Sequence, residues 1–112
     1  MSITTHVLDT SLGRPAAAVH VTLECQTPEG GWRVIGSGET DADGRVKTLV
    51  PGAAAAAGTH RLIFETKQYF DRRGVTAFYP SVTVTFEVQA GDGHYHVPLL
   101  LSPYGYSTYR GS

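Results

Sequence analysis

An all-β domain, either a sandwich or a small barrel, is the fold this sequence predicts, and three observations predict it. Apolar–polar alternation recurs along the chain, turn residues interrupt it at short intervals, and helical spacing is confined to one short stretch. The clearest alternation is Val82-Thr-Val-Thr-Phe-Glu-Val88, with Val82, Val84, Phe86 and Val88 on one face and Thr83, Thr85 and Glu87 on the other. Residues 19–25 repeat it, placing Val19, Val21, Leu23 and Cys25 inward and His20, Thr22 and Glu24 outward. Weaker alternation covers Ile3–Leu8, Trp32–Ile35, Arg45–Leu49, Arg61–Glu65 and Tyr95–Leu101. Pro28–Gly31, Asp41–Gly44, Pro51-Gly52 and Gly91–Gly93 supply the turns. The helix is predicted over Lys67–Arg73, with Thr66 capping its N-terminus and Gly74 closing its C-terminus. The alanine run 53–57 reads as a loop with at most one helical turn.

A chain of 112 residues predicts one domain, residues 1–112, able to bury a single core. Its net charge is −1 with acids and bases scattered, so no basic stripe points to nucleic acid. Cys25 is the only cysteine, which excludes an intrachain disulfide and fits a reducing compartment. Met1-Ser-Ile-Thr-Thr-His6 shows neither the basic nor the apolar region of a signal peptide. Apolar stretches stay far short of the ~20 residues a membrane helix needs. The expectation is a soluble cytoplasmic protein with no nucleic-acid or membrane partner.

Histidine is the first place to look for chemistry, because its pKa lies near neutrality. His6 falls within the first predicted strand, and His94 and His96 bracket Tyr95 near the last. The His-x-His spacing puts both rings on one strand face, opposite Tyr95, Val97 and Leu99. A solvated face, a zinc site lacking its third ligand, and acid–base catalysis all fit that spacing. Asp41-Ala-Asp-Gly44 resembles a calcium loop in part, but the later ligands are absent and a hairpin turn fits better. No Gly-x-Ser-x-Gly elbow occurs, and Cys25 falls on an apolar face as a core residue.

Four stretches carry a resemblance to a known family. They are ITTHVLDTSLGRPAAAVHVTL at 3–23, TDADGRV at 40–46, ETKQYFDRRG at 65–74 and HYHVPLLLSPYGYSTYRGS at 94–112. Together they resemble the 5-hydroxyisourate hydrolases, the transthyretin-related enzymes of purine breakdown. The most specific piece is the terminal Tyr109-Arg110-Gly111-Ser112. The resemblance implies a transthyretin-like two-sheet β-sandwich of about eight strands with one short helix. It implies a site formed by His6, Arg45, His96 and Ser112, with Tyr109, Arg110 and Gly111 helping to bind substrate. It also implies a homotetramer built as a dimer of dimers, and hydrolysis of 5-hydroxyisourate in urate degradation without metal or other cofactor. Ser112, the last residue, offers a hydroxyl and a carboxylate to orient water or a histidine. The rival readings are a transthyretin-like carrier of small aromatic ligands and a non-catalytic sandwich module.

Overall fold

In the computed structural model, residues 2–47, 49 and 57–112 are described. The strands are β1 (Ser2–Asp9), β2 (Arg14–Pro15), β3 (His20–Gln26), β4 (Trp32–Glu39), β5 (Arg45–Val46), β6 (Gly58–Phe64), β7 (Val82–Val88), β8 (His94–Ser102) and β9 (Gly105–Thr108), and α1 (Thr66–Arg72) joins β6 to β7. One sheet has the order β2-β1-β8-β9, with β5 also pairing to β1; the other has the order β4-β3-β6-β7. The β1–β8 pair is parallel, its register running from Ser2 opposite His94 to Asp9 opposite Leu101. Every other strand pair is antiparallel.

The alternation seen in the sequence becomes the core. Ile3 and Val7 of β1 and Tyr95, Val97, Leu99 and Leu101 of β8 are buried together with Val21, Leu23, Leu62, Phe64, Val82 and Val84 from the other sheet. Burying one such side chain is worth about 1.5–3 kcal/mol, so these inward faces drive the sheets together. The sandwich predicted from the sequence is the fold observed, with one helix among the described residues, α1 between β6 and β7.

That helix closes on Gly74. The Val75 N–H donates to the Phe70 carbonyl and the Gly74 N–H to the Asp71 carbonyl, both at 3.0 Å, which is the Schellman pattern. Its start departs from expectation. Thr66 is the first helical residue, buried, and its hydroxyl caps nothing; Glu65 holds the cap position without a side-chain bond. The reason is pairing upstream: the Glu65 N–H donates to the His20 carbonyl at 3.0 Å, so the sheet sets the entry into the helix.

Other expectations are corrected by the way the strands pair. Asp41–Gly44 is a tight turn but not a hairpin, because it passes from β4 in one sheet to β5 in the other. The β4 strand runs on to Glu39, through Gly36-Ser-Gly38, where small residues hide the alternation. The strand expected over Arg45–Leu49 keeps only Arg45 and Val46, although Leu49 is buried in the core. Cys25 is half-buried, since it lies beyond a register irregularity at Leu23/Glu24 near the sheet's end. The short β2 and β9 carry no alternation long enough to read. The Pro51-Gly52 turn and most of the alanine run lie outside the described residues.

A polar tie anchors the helix end to the sandwich. Asp9 has no exposed surface, and its Oδ2 accepts hydrogen bonds from the Tyr69 hydroxyl at 2.7 Å and Arg73 Nη1 at 3.1 Å. Its Oδ1 accepts from the Ser11 hydroxyl and from the N–H groups of Ser11 and Leu12. Burial alone pushes the Asp9 carboxyl up, but the bonds from Ser11, Tyr69 and Leu12 outweigh it and hold it below 3.8. Burial and the bond to Asp9 push the Tyr69 hydroxyl up to about 12. With the folded pKa below the unfolded one, this stabilisation is complete above the unfolded value and is lost as pH falls through the folded value. Asp9→Asn should therefore cost about 2 kcal/mol near neutrality, since bonds to a charged group are worth about 1.5–3 kcal/mol. Melting temperatures from pH 7 down to pH 2 check this: the native and variant curves should converge in acid, and parallel curves would refute it.

Candidate active site

The parity of β1 and β8 decides which side chains face out of the sandwich. Ile3, Thr5, Val7 and Asp9 are buried, so Ser2, Thr4, His6 and Leu8 point outward. On β8, Tyr95, Val97, Leu99 and Leu101 are buried, and His94, His96 and Leu100 point outward. The parallel register sets Thr4 beside His96 and His6 beside Pro98. On the other edge of β1, Arg45 is the partner of His6. The chain then returns after β9, and the Gly111 N–H donates to the His96 carbonyl at 2.7 Å. Arg45, His6, His96 and Gly111 thus form one band across the outer face of the five-stranded sheet.

Two glycines make that band possible. At Gly44, where φ is +78°, a Cβ would lie 2.3 Å from the Val7 carbonyl oxygen and 3.3 Å from Cδ2 of His6. At Gly111 a Cβ would lie 2.6 Å from Cδ2 of His96, so the tail backbone rests directly on that ring. Asp41 adds a further constraint on Arg45: its Oδ1 accepts the N–H groups of Asp43 at 2.9 Å and Arg45 at 3.1 Å. The Arg45 bond is also the main reason the Asp41 carboxyl lies below 3.8.

The two candidate imidazoles have different settings. His96 is half-buried and its Nδ1 lies 2.8 Å from the Thr4 hydroxyl. Burial, then the charges of Arg45, His94 and His6, hold its pKa below 6.5. The neutral ring, able to accept a proton, is favoured in this setting. His6 is also half-buried, between Arg45 and Pro98. His94 is exposed, its ring 6.4 Å from that of His96 and within 11° of parallel. Arg45 is exposed, leaving its guanidinium fork free to meet a planar ligand.

The rest of the tail divides. Arg110 stacks its guanidinium 4.4 Å over the Tyr95 ring and lies 3.7 Å from Asp92. With Tyr109 it lines a cavity of about 240 Å³ at the sandwich edge, against Val84, Phe86, Tyr95 and Val97. The structure thus brings Gly111 to the histidine band, while in one chain Tyr109 and Arg110 belong to the edge and anchor the tail. Ser112 is exposed beyond Gly111. Among the described residues no group of three His, Cys, Asp or Glu side chains is placed to hold a metal ion. Sequence reading passed over Thr4; its position two residues before His6 already places it on the same strand face.

Chemically, the band offers a neutral imidazole, a second imidazole and a fixed cation on one open face. That set can remove a proton from water and stabilise an oxyanion. Among solved structures, the 5-hydroxyisourate hydrolase of Klebsiella pneumoniae superposes with a TM-score of 0.86, is 37% identical, and covers 100% of both chains. Sea bream transthyretin in complex with thyroxine superposes with a TM-score of 0.93 at 35% identity, covering 99% of this chain and 95% of that one. Salmonella typhimurium 5-hydroxyisourate hydrolase is 50% identical over 110 residues, 98% of this chain and 80% of that protein. The HIUase/Transthyretin family model matches residues 3–111, and the chain belongs to that family.

Proposed function

We propose that this chain hydrolyses 5-hydroxyisourate, opening its six-membered ring to give 2-oxo-4-hydroxy-4-carboxy-5-ureidoimidazoline in urate degradation. The observation that carries the reading is the band of His6, Arg45, His96 and Gly111 on one sheet face. Neither a ligand carrier nor a structural module has a use for a cation set among imidazoles. A single domain, residues 1–112, carries the activity.

The reaction has three demands. Water must lose a proton, a carbonyl oxygen must take up negative charge, and a ring nitrogen must leave protonated. The imidazoles of His6 and His96 supply proton transfer, typically worth ~10²–10⁴-fold. Arg45 meets the planar substrate edge with two parallel hydrogen bonds and stabilises the developing charge. Gly111 and Ser112 wall the site beside His96, with the Ser112 hydroxyl orienting water. Tyr109 and Arg110 hold that wall in place and contribute to substrate binding once chains assemble. The scheme uses no metal and no organic cofactor.

Assembly as a homotetramer, a dimer of dimers, fits the surface. Phe78, Tyr104 and Tyr106 are 69%, 68% and 43% exposed, and aromatic residues of this kind are enriched where chains meet. Sedimentation equilibrium at the mass of four chains checks it. A cytoplasmic location fits the single unpaired Cys25. No helix among the described residues is long and apolar enough to cross a membrane.

The deciding experiment generates 5-hydroxyisourate with urate oxidase and follows its decay by ultraviolet absorbance. The protein should accelerate the decay, equally before and after dialysis against EDTA. Decay at the spontaneous rate would leave the carrier reading in its place. A loss on dialysis that zinc restores would mean that the histidines bind metal.

Arg45 separates charge from shape. Arg45→Lys keeps a cation near His96 but loses the planar fork, so kcat/KM should fall about tenfold or more while the acid limb of its pH profile stays put. Arg45→Gln removes one of the charges that depress His96, so its acid limb should move to higher pH. Rates rise with pH through the His96 pKa, because the neutral ring is the active form. Native rates in the lysine variant would mean that only long-range charge matters at this position, and an unmoved limb in the glutamine variant would remove Arg45 from the surroundings of His96.

Gly111 tests the tail. Gly111→Ala places a methyl group where Cδ2 of His96 lies 2.6 Å away, so the tail must lift from the ring. Hydrolysis should fall by an order of magnitude or more, with circular dichroism and the melting profile near native. A native rate would make the tail packing alone.

A further inference from the structure

Beyond the residues placed so far, the outer face of β1 and β8 carries a continuous line of polar atoms leading away from His96. The Thr4 hydroxyl lies 2.8 Å from Nδ1 of His96 and 3.5 Å from Nε2 of His94. Nδ1 of His94 in turn lies 2.5 Å from the Ser2 hydroxyl. Hydroxyl and imidazole alternate along this line, from half-buried His96 to exposed His94 and Ser2. The strand register builds it, pairing Ser2 with His94 and Thr4 with His96.

We infer that Thr4 is a positioning residue that fixes the tautomer of His96, and that Thr4 and His94 relay the proton from His96 to solvent. The inference rests on the hydrolase reading above and adds to it the choice of His96 as the base. In a neutral imidazole one nitrogen donates and the other accepts, and the partner of one decides the role of the other. When His96 donates from Nδ1 to the Thr4 oxygen, its Nε2 carries the free lone pair a general base needs. The Thr4 hydroxyl then points its own proton at Nε2 of His94, and His94 donates from Nδ1 to Ser2.

The transfer balances. Nε2 of His96 takes the proton from the attacking water and Nδ1 releases its own to the Thr4 oxygen. Thr4 passes its hydroxyl proton to Nε2 of His94, and the His94 Nδ1 proton leaves by way of Ser2 to bulk water. Afterwards His96 is again neutral, now carrying its proton on Nε2; as that proton goes to the leaving ring nitrogen, the line runs in reverse and returns one from bulk water through His94 and Thr4 to Nδ1. One polarity of the line makes His96 a base and the opposite polarity makes it an acid, as hydrolysis requires in succession. A valine at position 4 would keep the β-branched shape and lose both hydrogen bonds.

The surroundings of His96 favour passing the proton on over holding it. His6 faces it from β1, Arg45 from β5, His94 from its own strand, and the uncharged Gly111 backbone from the tail. Arg110 is turned to Tyr95 and Asp92 instead. Among the described residues no carboxylate is paired with His96 to retain an imidazolium, and burial and Arg45 disfavour one.

The test measures kcat and KM against pH for the native protein, Thr4→Val, Thr4→Ser and His94→Gln, in dilute buffer and with added imidazole. Thr4→Val should lose roughly tenfold or more in kcat with KM nearly unchanged, short of the ~10²–10⁴-fold that a general base is worth. Thr4→Ser should recover most of that loss. His94→Gln should be slow in dilute buffer and speed up as imidazole is added, because a mobile buffer replaces the outer end of the line. Nitrogen-15 chemical shifts of His96 should show a proton on Nδ1 in the native protein, a readout that survives if Thr4→Val fails to fold. A Thr4→Val rate equal to native, a serine variant as slow as valine, His94→Gln at the native rate in dilute buffer, or His96 protonated on Nε2 alone would each overturn the relay. A native protein that does not accelerate 5-hydroxyisourate decay would instead sink the hydrolase reading on which it rests.

Discussion

The parallel pairing of β1 with β8 is the constraint on which both the core and the candidate site depend. It joins the first strand of the chain to the eighth, residue for residue, from Ser2 opposite His94 to Asp9 opposite Leu101. On the inner side it brings Ile3 and Val7 against Tyr95 and Leu99, and the buried Thr5 hydroxyl donates to the Val97 carbonyl at 2.7 Å. At its far end it buries Asp9 where Tyr69 and Arg73 can reach it. On the outer side the same register sets Thr4 against His96 and carries His6 to the edge that Arg45 occupies. A slip of one residue would turn His6 inward and Val7 outward, destroying core and site together. Selection for a packed sandwich and selection for the polar band are therefore selection for one register.

That dependence explains what was legible in the sequence and what was not. Val82–Val88 is legible to the residue because its two faces are cleanly apolar and polar, and parity alone puts His94 and His96 on one strand face. The end of β4 was missed because Gly36, Ser37 and Gly38 carry no hydrophobic signal, though they pair with Leu23, Thr22 and Val21. β9 was missed because Gly105-Tyr-Ser-Thr108 lies at a sheet edge and buries little. Asp41–Gly44 was rightly a turn, but local chemistry cannot say whether the next strand joins the same sheet or crosses to the other. The fold of Arg45 against His6 is a decision of that kind. Within the site, residue types and strand faces were visible, whereas adjacency was not, because His6, Arg45, His96 and Gly111 meet only through pairings between distant segments.

The two structural neighbours sharpen the same point. A transthyretin solved with thyroxine superposes on this chain more closely than a 5-hydroxyisourate hydrolase does, with TM-scores of 0.93 and 0.86. Backbone shape therefore does not choose between carrier and enzyme, since a fold hosts functions and does not dictate them. Side chains that leave the sandwich unchanged can carry such a difference, and the outward positions of β1, β5 and β8 are such places. Changing them alters the chemistry of the face while the inward residues continue to hold the two sheets together.

Electrostatics then gives this face its character. Arg45 is fixed from two directions, by strand pairing with His6 and by the Asp41 carboxylate that accepts its backbone N–H. Its charge cannot be relieved by deprotonation, because a guanidinium stays charged throughout the working pH range. Partial burial makes the His96 ring give up its proton more readily, and the Arg45 charge beside it acts in the same direction. One cation thus acts twice: with burial it disfavours a charged His96 ring, and it gives the face a positive charge that suits an anionic or planar electron-rich ligand. A carboxylate in the place of Arg45 would act in the opposite sense, favouring a charged His96 ring and repelling negative charge on a ligand. The band accordingly works through its combination of residues, and the strand register is what keeps that combination together.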